Sequence, residues 1–81
     1  MNSDRLIQII SDITGLPAEE IGEESLLFED LGIDSLEMFK IYNEVSVSLD
    51  AAYDRTRFFS AVSVSALLDI INNGRQGKNY E

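Results

Sequence analysis

Phe28-Glu29-Asp30-Leu31-Gly32-Ile33-Asp34-Ser35-Leu36-Glu37 is the stretch on which the reading of this chain turns. It passes from an apolar and acidic connection into the start of a helix. Asp34 is a favoured N-cap residue, and Glu37 three positions later completes a capping-box pattern, with Asp where Ser or Thr is usual. Gly32 lets the backbone turn tightly into that cap. Ser35 is then the first helical residue, beside unpaired backbone N–H groups and the positive end of the helix dipole. An anionic ester on its hydroxyl would gain from both.

Working outward, the segment Ser3 to Thr14 places Leu6, Ile9/Ile10 and Ile13 on one helical face. Gly15 stands where a helix ends, and Pro17 prevents its resumption. Residues 16–33 form a connection longer than most loops in compact domains. Leu16, Ile21, Leu26, Leu27, Phe28 and Leu31 give it apolar anchors, so an ordered loop pinned to the core is expected, with a short helical turn near Ala18–Ile21.

From Asp34 the second helix carries a stripe of Leu36, Phe39, Tyr42 and Val45/Val47, with Met38, Ile41 and Leu49 beside it. The run Val45-Ser46-Val47-Ser48 is weakly helical by propensity, and a local strand there would lack a partner. Residues 50–61, with Ala51, Ala52, Tyr53, Phe58, Phe59 and Ala61, are expected to form a short helix with inward aromatics. Ser63 caps the last helix, Val64, Leu67, Leu68 and Ile71 follow at i, i+3, i+4 and i+7, and Gly74 ends it. The expected fold is all-α: a small four-helix bundle of three longer helices and one short one, with a long ordered first loop. It forms one domain over residues 1–81, with a core at about 3–73 and a polar tail at 74–81, of which residues 75–81 are expected to fray.

Composition narrows the chemistry. The chain has 81 residues, a net charge of −9, no His and no Cys. Disulfides and thiolate sites are therefore excluded, and the commonest general base and metal ligand are missing. Ser35 consequently has no partner to activate it and reads as a substrate of other enzymes rather than a nucleophile of its own. No apolar run reaches the length of a signal-peptide core or a membrane span, so no membrane insertion and a cytoplasmic location are expected. Residues 1–54 hold thirteen of the fifteen acids, against Arg5 and Lys40. Such a surface disfavours nucleic acid and favours partners with basic patches, although solubility alone would explain the acids. An EF-hand is excluded: reading from Asp30, the glycine falls third rather than sixth, and Ile41 occupies the twelfth place. No metal site is expected, beyond loose divalent binding to the acids of the first loop.

The run Leu31-Gly32-Ile33-Asp34-Ser35-Leu36 resembles the phosphopantetheine attachment site of the acyl carrier protein family, whose motif is Asp-Ser-Leu after a Leu-Gly pair. Asp-Ser-Leu alone is a weak signal. Length, site position, acidity, helix order and the long first loop agree with the family over residues 3–73. The resemblance implies that Ser35 takes up a 4′-phosphopantetheine arm from coenzyme A within a phosphopantetheinyl transferase. The arm's thiol would hold acyl groups as thioesters, with chemistry supplied by the cofactor and presentation by the protein. By the same resemblance, Asp34 caps the helix and helps the transferase place Mg²⁺. Leu36, Glu37, Lys40, Ile41 and Glu44 face partners, which are acyl-loading, condensing and acyl-transfer enzymes, and the carrier works as a monomer without being an enzyme itself.

Several positions depart from the common fatty-acid carrier pattern. Lys40 and Asn43 stand where an acid and an apolar contact would be expected, and Arg55 and Arg57 follow where acids are common. A specialised, free-standing carrier of fatty-acid, polyketide or related biosynthesis is expected. Two alternatives stay open: an aminoacyl or aryl carrier, and an unmodified acidic docking domain of carrier ancestry. Phe58 and Phe59 read first as core and otherwise as the lining of an acyl pocket. Tyr53 reads as packing. Arg55 and Arg57 read first as a solvated helix face, and otherwise as steering for a partner or a carboxylated cargo.

Overall fold

The structure, a computed structural model, describes residues 1–76; the rest of the tail expected to fray, residues 77–81, lies outside the described residues. Four helices carry the architecture, as the hydrophobic pattern implied. α1 (Ser3–Thr14) starts at Asn2, whose side chain accepts the Arg5 N–H at 2.8 Å, and stops at Gly15. Gly15 takes φ +83°, a left-handed conformation that a residue without Cβ adopts at no steric cost. A 3-10 turn (Ala18–Glu20) follows Pro17, where a short turn was expected.

α2 (Ser35–Leu49) runs unbroken through Val45–Ser48 despite their weak propensity, because Val45 is buried and tertiary packing outweighs local preference. Its end has no glycine. Asp50 adopts φ +50° and donates its N–H to the Ser46 and Val47 carbonyls, a role open to Asp as one of the few side chains tolerated there. α4 (Val64–Asn73) is capped by Ser63, whose hydroxyl accepts the Ala66 N–H at 3.1 Å. Val64, Leu67 and Ile71 are buried as their spacing required, and Leu68 is half-buried.

Two expectations need correction. The short helix does not fill residues 50–61: α3 spans only Arg55–Phe59. Asp54 is its cap, accepting from the Thr56 and Arg57 N–H groups at 2.9 and 3.3 Å, and this holds the residues before it extended. Among those, β1 (Ala52–Tyr53) pairs antiparallel with β2 (Arg75–Gln76), Ala52 opposite Gln76 and Tyr53 opposite Arg75. The ladder is two residues long and leaves the fold all-α, but it overturns the expected fraying at residues 75–76, which are paired.

The second correction concerns the face of α2. Met38, Ile41 and Val45 are fully buried, whereas Leu36, Phe39 and Val47 are 62%, 40% and 77% exposed. Of the expected stripe, Val45 is buried and Tyr42 half-buried while Leu36 and Phe39 are not; the helix is apolar on more than one side, and contact with α1 and α3 centres the buried face on Met38, Ile41 and Val45. α1 lies against α2 and α4, and α3 bridges α2 and α4. Phe58 of α3, Leu6 and Ile10 of α1, and Leu67 of α4 fill the centre with no solvent exposure. The termini of the bundle are tied by a reciprocal pair: the Met1 ammonium donates to Asn72 Oδ1, and Asn72 Nδ2 to the Met1 carbonyl, both at 3.0 Å.

Candidate functional site: the start of the second helix

The loop before α2 is built as a platform. The Leu26 carbonyl accepts the N–H groups of Asp30 and Leu31 at 2.9 and 3.0 Å, while Asp30 Oδ2 accepts the Leu26 N–H at 2.9 Å. The Ile33 N–H reaches the Leu27 carbonyl at 3.1 Å, and Gly32 at φ +66° makes the turn between them. The platform is stapled to α4: Leu27 N–H bonds the Val62 carbonyl at 2.9 Å, Val64 N–H the Ser25 carbonyl at 3.1 Å, and Ser65 N–H the Glu23 carbonyl at 2.8 Å. Leu27 and Ile21 sink into the core as expected. Phe28 does not; it is 45% exposed and lies with Val62 along a cleft of about 250 Å³.

The capping box is present in full. Asp34 Oδ1 accepts the Glu37 N–H at 2.8 Å, and Glu37 Oε1 accepts the Asp34 N–H at 3.3 Å. Ile33 and Met38 occupy the two positions of a hydrophobic staple around it, and both are buried. The sequence carried that signal, an apolar residue just before the cap and another four positions into the helix, and the reading of the loop anchors passed over Ile33.

Ser35 is the first residue of α2 and is exposed. Its hydroxyl has no hydrogen-bond partner among the described residues, and neither do the N–H groups of Ser35 and Leu36, the donors left over at any helix start. The hydroxyl is thus free to be an acceptor, with two backbone donors and the helix dipole beside it for the negative charge of a phosphodiester. These features fit a phosphopantetheine ester on this side chain.

The expected partner-facing residues divide. Leu36 and Lys40 are exposed. Glu37 is half-buried and spent on the cap. Ile41 has no exposure at all, which corrects its placement on the partner face: it falls on the stripe of Met38 and Val45, which packs inward. Glu44 is exposed but lines a cleft with Arg5, Gln8 and Ile9, on the side toward α1.

One part of the site was hardly legible beforehand. Tyr42 of α2 meets Phe58 edge-on at 5.0 Å and 89°, and its hydroxyl donates to the Tyr53 carbonyl at 2.9 Å. Phe39 stacks on Tyr42 at 6.4 Å and 18°, and Phe59 lies 6.2 Å from both Tyr42 and Phe58. The aromatics of α3 therefore hold that helix against α2 through Tyr42. Phe58 is core, as first read, and Tyr53 is buried packing.

The site is therefore an exposed hydroxyl at a capped helix start, in a chain without histidine or cysteine. A family model described as the phosphopantetheine attachment site matches residues 4–71, and the chain belongs to that family, the carriers of 4′-phosphopantetheine. It is 27% identical over 67 residues to an acyl carrier protein of Saccharopolyspora erythraea, covering 83% of this chain and 70% of that one. It is 30% identical over 77 residues to the non-reducing polyketide synthase sorB of Penicillium rubens, covering 93% of this chain but only 3% of the synthase. An acyl carrier protein of Shigella flexneri is 20% identical over 73 residues, covering 90% and 94% of the two chains. Among the described residues no helix is long and apolar enough to cross a membrane, and no group of three or more acidic side chains is placed to hold a metal ion.

Proposed function

We propose that Ser35 is the attachment residue and that the protein carries acyl intermediates for partner enzymes of fatty-acid, polyketide or related specialised biosynthesis. The observation that carries this reading is the free, exposed Ser35 hydroxyl at the head of a helix capped by Asp34 and Glu37. Its O–H proton passes to a base of the transferase as Oγ bonds to the pantetheine-side phosphorus of coenzyme A, and the nucleotide half leaves. Once attached, the arm supplies a thiol on which an acyl group is held as a thioester. The chain's own contribution is positional. The capping box holds Ser35 in one orientation, and the carboxylate of Asp34 stands one residue away to help the transferase seat its Mg²⁺.

The specialised reading is supported by the higher identity to the polyketide synthase than to the Shigella carrier, and by the bases Lys40 and Arg55 on the exposed side of the first turns of α2. Residues 1–81 act in this reading as one carrier domain, a cytoplasmic monomer that meets a transferase and then loading, condensing and acyl-transfer enzymes in turn. The acids of the first loop suit basic patches on those enzymes.

The test is intact mass after incubation with coenzyme A, Mg²⁺ and a broad-specificity phosphopantetheinyl transferase, beside a Ser35→Ala variant. One phosphopantetheine should be gained by the native protein and none by the variant. An unmodified native protein, with a known carrier modified in parallel, would leave the docking-domain reading in its place.

A further inference from the structure

Arg55 is exposed at the first position of α3, and its guanidinium lies over an aromatic shelf, 6.0 Å from the Phe39 ring centroid and 5.8 Å from that of Tyr42. The shelf is itself held in place, because Tyr42 is locked edge-on to Phe58 and through its hydroxyl to the Tyr53 carbonyl. The Arg55 side chain is exposed and makes no hydrogen bond to any described residue, which leaves its five N–H donors open to a partner. A long cationic side chain has here been given a preferred position without an acceptor among the described residues.

Its surroundings are those of a contact surface. Phe39 lies one helical turn beyond Ser35, and Leu36, Phe39 and Lys40 fall at i, i+3 and i+4, so they share one side of α2. Leu36 and Phe39 are the two exposed large apolar residues in the first turns of that helix. An apolar and cationic patch thus borders Ser35 in a molecule whose net charge is −9.

We infer that Arg55, seated on the Phe39–Tyr42 shelf and backed by Lys40, is a docking contact for a partner enzyme that presents a carboxylate beside an apolar depression for Leu36 and Phe39. This rests on the carrier reading, since it is the attached arm that brings an enzyme to this end of α2. A protein surface fits better than a free anion. A single exposed ion pair contributes little in water, whereas a surface covering Leu36 and Phe39 excludes water from the pair and strengthens it. Ordering by the shelf lowers the entropy lost on docking. The same cation repels an enzyme that places Lys or Arg opposite it, so the contact selects as well as binds.

The native protein and the variants Arg55→Glu, Arg55→Ala and Arg55→Lys would each be loaded at Ser35 with a pantetheine analogue bearing an electrophile. That electrophile captures the active-site cysteine of a condensing enzyme. Capture rates would be measured against the parent enzyme and a set of single Lys/Arg→Glu variants across its carrier-facing surface, with circular dichroism confirming the fold of every carrier. At least one reversed enzyme should capture the native carrier about tenfold faster than Arg55→Glu, while the parent enzyme prefers Arg55→Glu. Arg55→Lys, which keeps the charge but not the planar stacking, should fall between native and Arg55→Ala. Capture of Arg55→Glu at least as fast as native by every enzyme would overturn the inference. Failure of all four carriers to gain the analogue's mass, seen before any enzyme is added, would instead remove the carrier reading, and this inference with it.

Discussion

α4 and α2 start alike and are used differently. Each begins at a side-chain cap, Ser63 for one and Asp34 for the other, and each is rich in aliphatic residues. α4 has one apolar stripe, and Val64, Leu67 and Ile71 bury it. α2 buries Met38, Ile41 and Val45 and still leaves Leu36, Phe39 and Val47 in water. The surplus is the lesson: a helix that needs only one face for the core, yet is apolar on another, carries surface that folding does not explain. In α2 the first part of that surface adjoins Ser35.

The sharpest way to break this contrast is to truncate the same residue type in both helices. Leu67→Ala should cost about 2–5 kcal/mol, because it empties a site with no exposure and the bundle can relax only in part. Leu36→Ala should stay within about 0.5 kcal/mol, since its side chain is mostly in water already. Urea denaturation of the pair measures both, and similar losses would mean that the outer face of α2 is packed in solution.

A smaller effect sharpens the comparison at the caps. Asp34→Ala and Ser63→Ala should each cost about 1 kcal/mol, because each leaves a helix N–H without its acceptor. Only Asp34→Ala should also slow the uptake of phosphopantetheine at Ser35, read as modification rate at equal folded fraction. If at equal folded fraction Asp34→Ala is modified as fast as Ser63→Ala, Asp34 acts only through stability. The smallest effect is expected at Val47, where a β-branched side chain stands exposed in a helix. Val47→Ala should raise stability by a few tenths of a kcal/mol through helix propensity, and a thermal melt showing a loss would place Val47 in a contact that its exposure does not suggest.

Legibility followed the number of solutions each segment allowed. In α1 and α4 the spacing of aliphatic residues admits one inward face, and Gly15 and Gly74 mark the ends, so both helices could be read off the chain. The Asp34–Ser35–Glu37 start was equally readable, since capping is a local matter of side chain and backbone within four residues. Phe28 was misread as an anchor and Ile33 passed over, because a loop has no period from which to infer facing. Residues 50–54 were given to a helix because alanine and tyrosine do not forbid one, and the competing ladder partner lies more than twenty residues away in β2. Ile41 was placed on the partner face because α2 is apolar on more than one side, and spacing alone leaves open which of those sides is covered.

By itself, then, the sequence determined the helical class, the order of the helices, the capped start that offers Ser35, and the absence of histidine and cysteine beside it. These rest on short-range relations: composition, spacing within a few turns, and the chemistry of single side chains. Which side of α2 turns inward, where α3 begins, and the seating of Arg55 on Phe39 and Tyr42 were decided only in three dimensions. Their physical reason is common to all three. Each depends on what stands opposite in the packed bundle, and a helix apolar on two sides does not say which will be covered until its neighbours arrive.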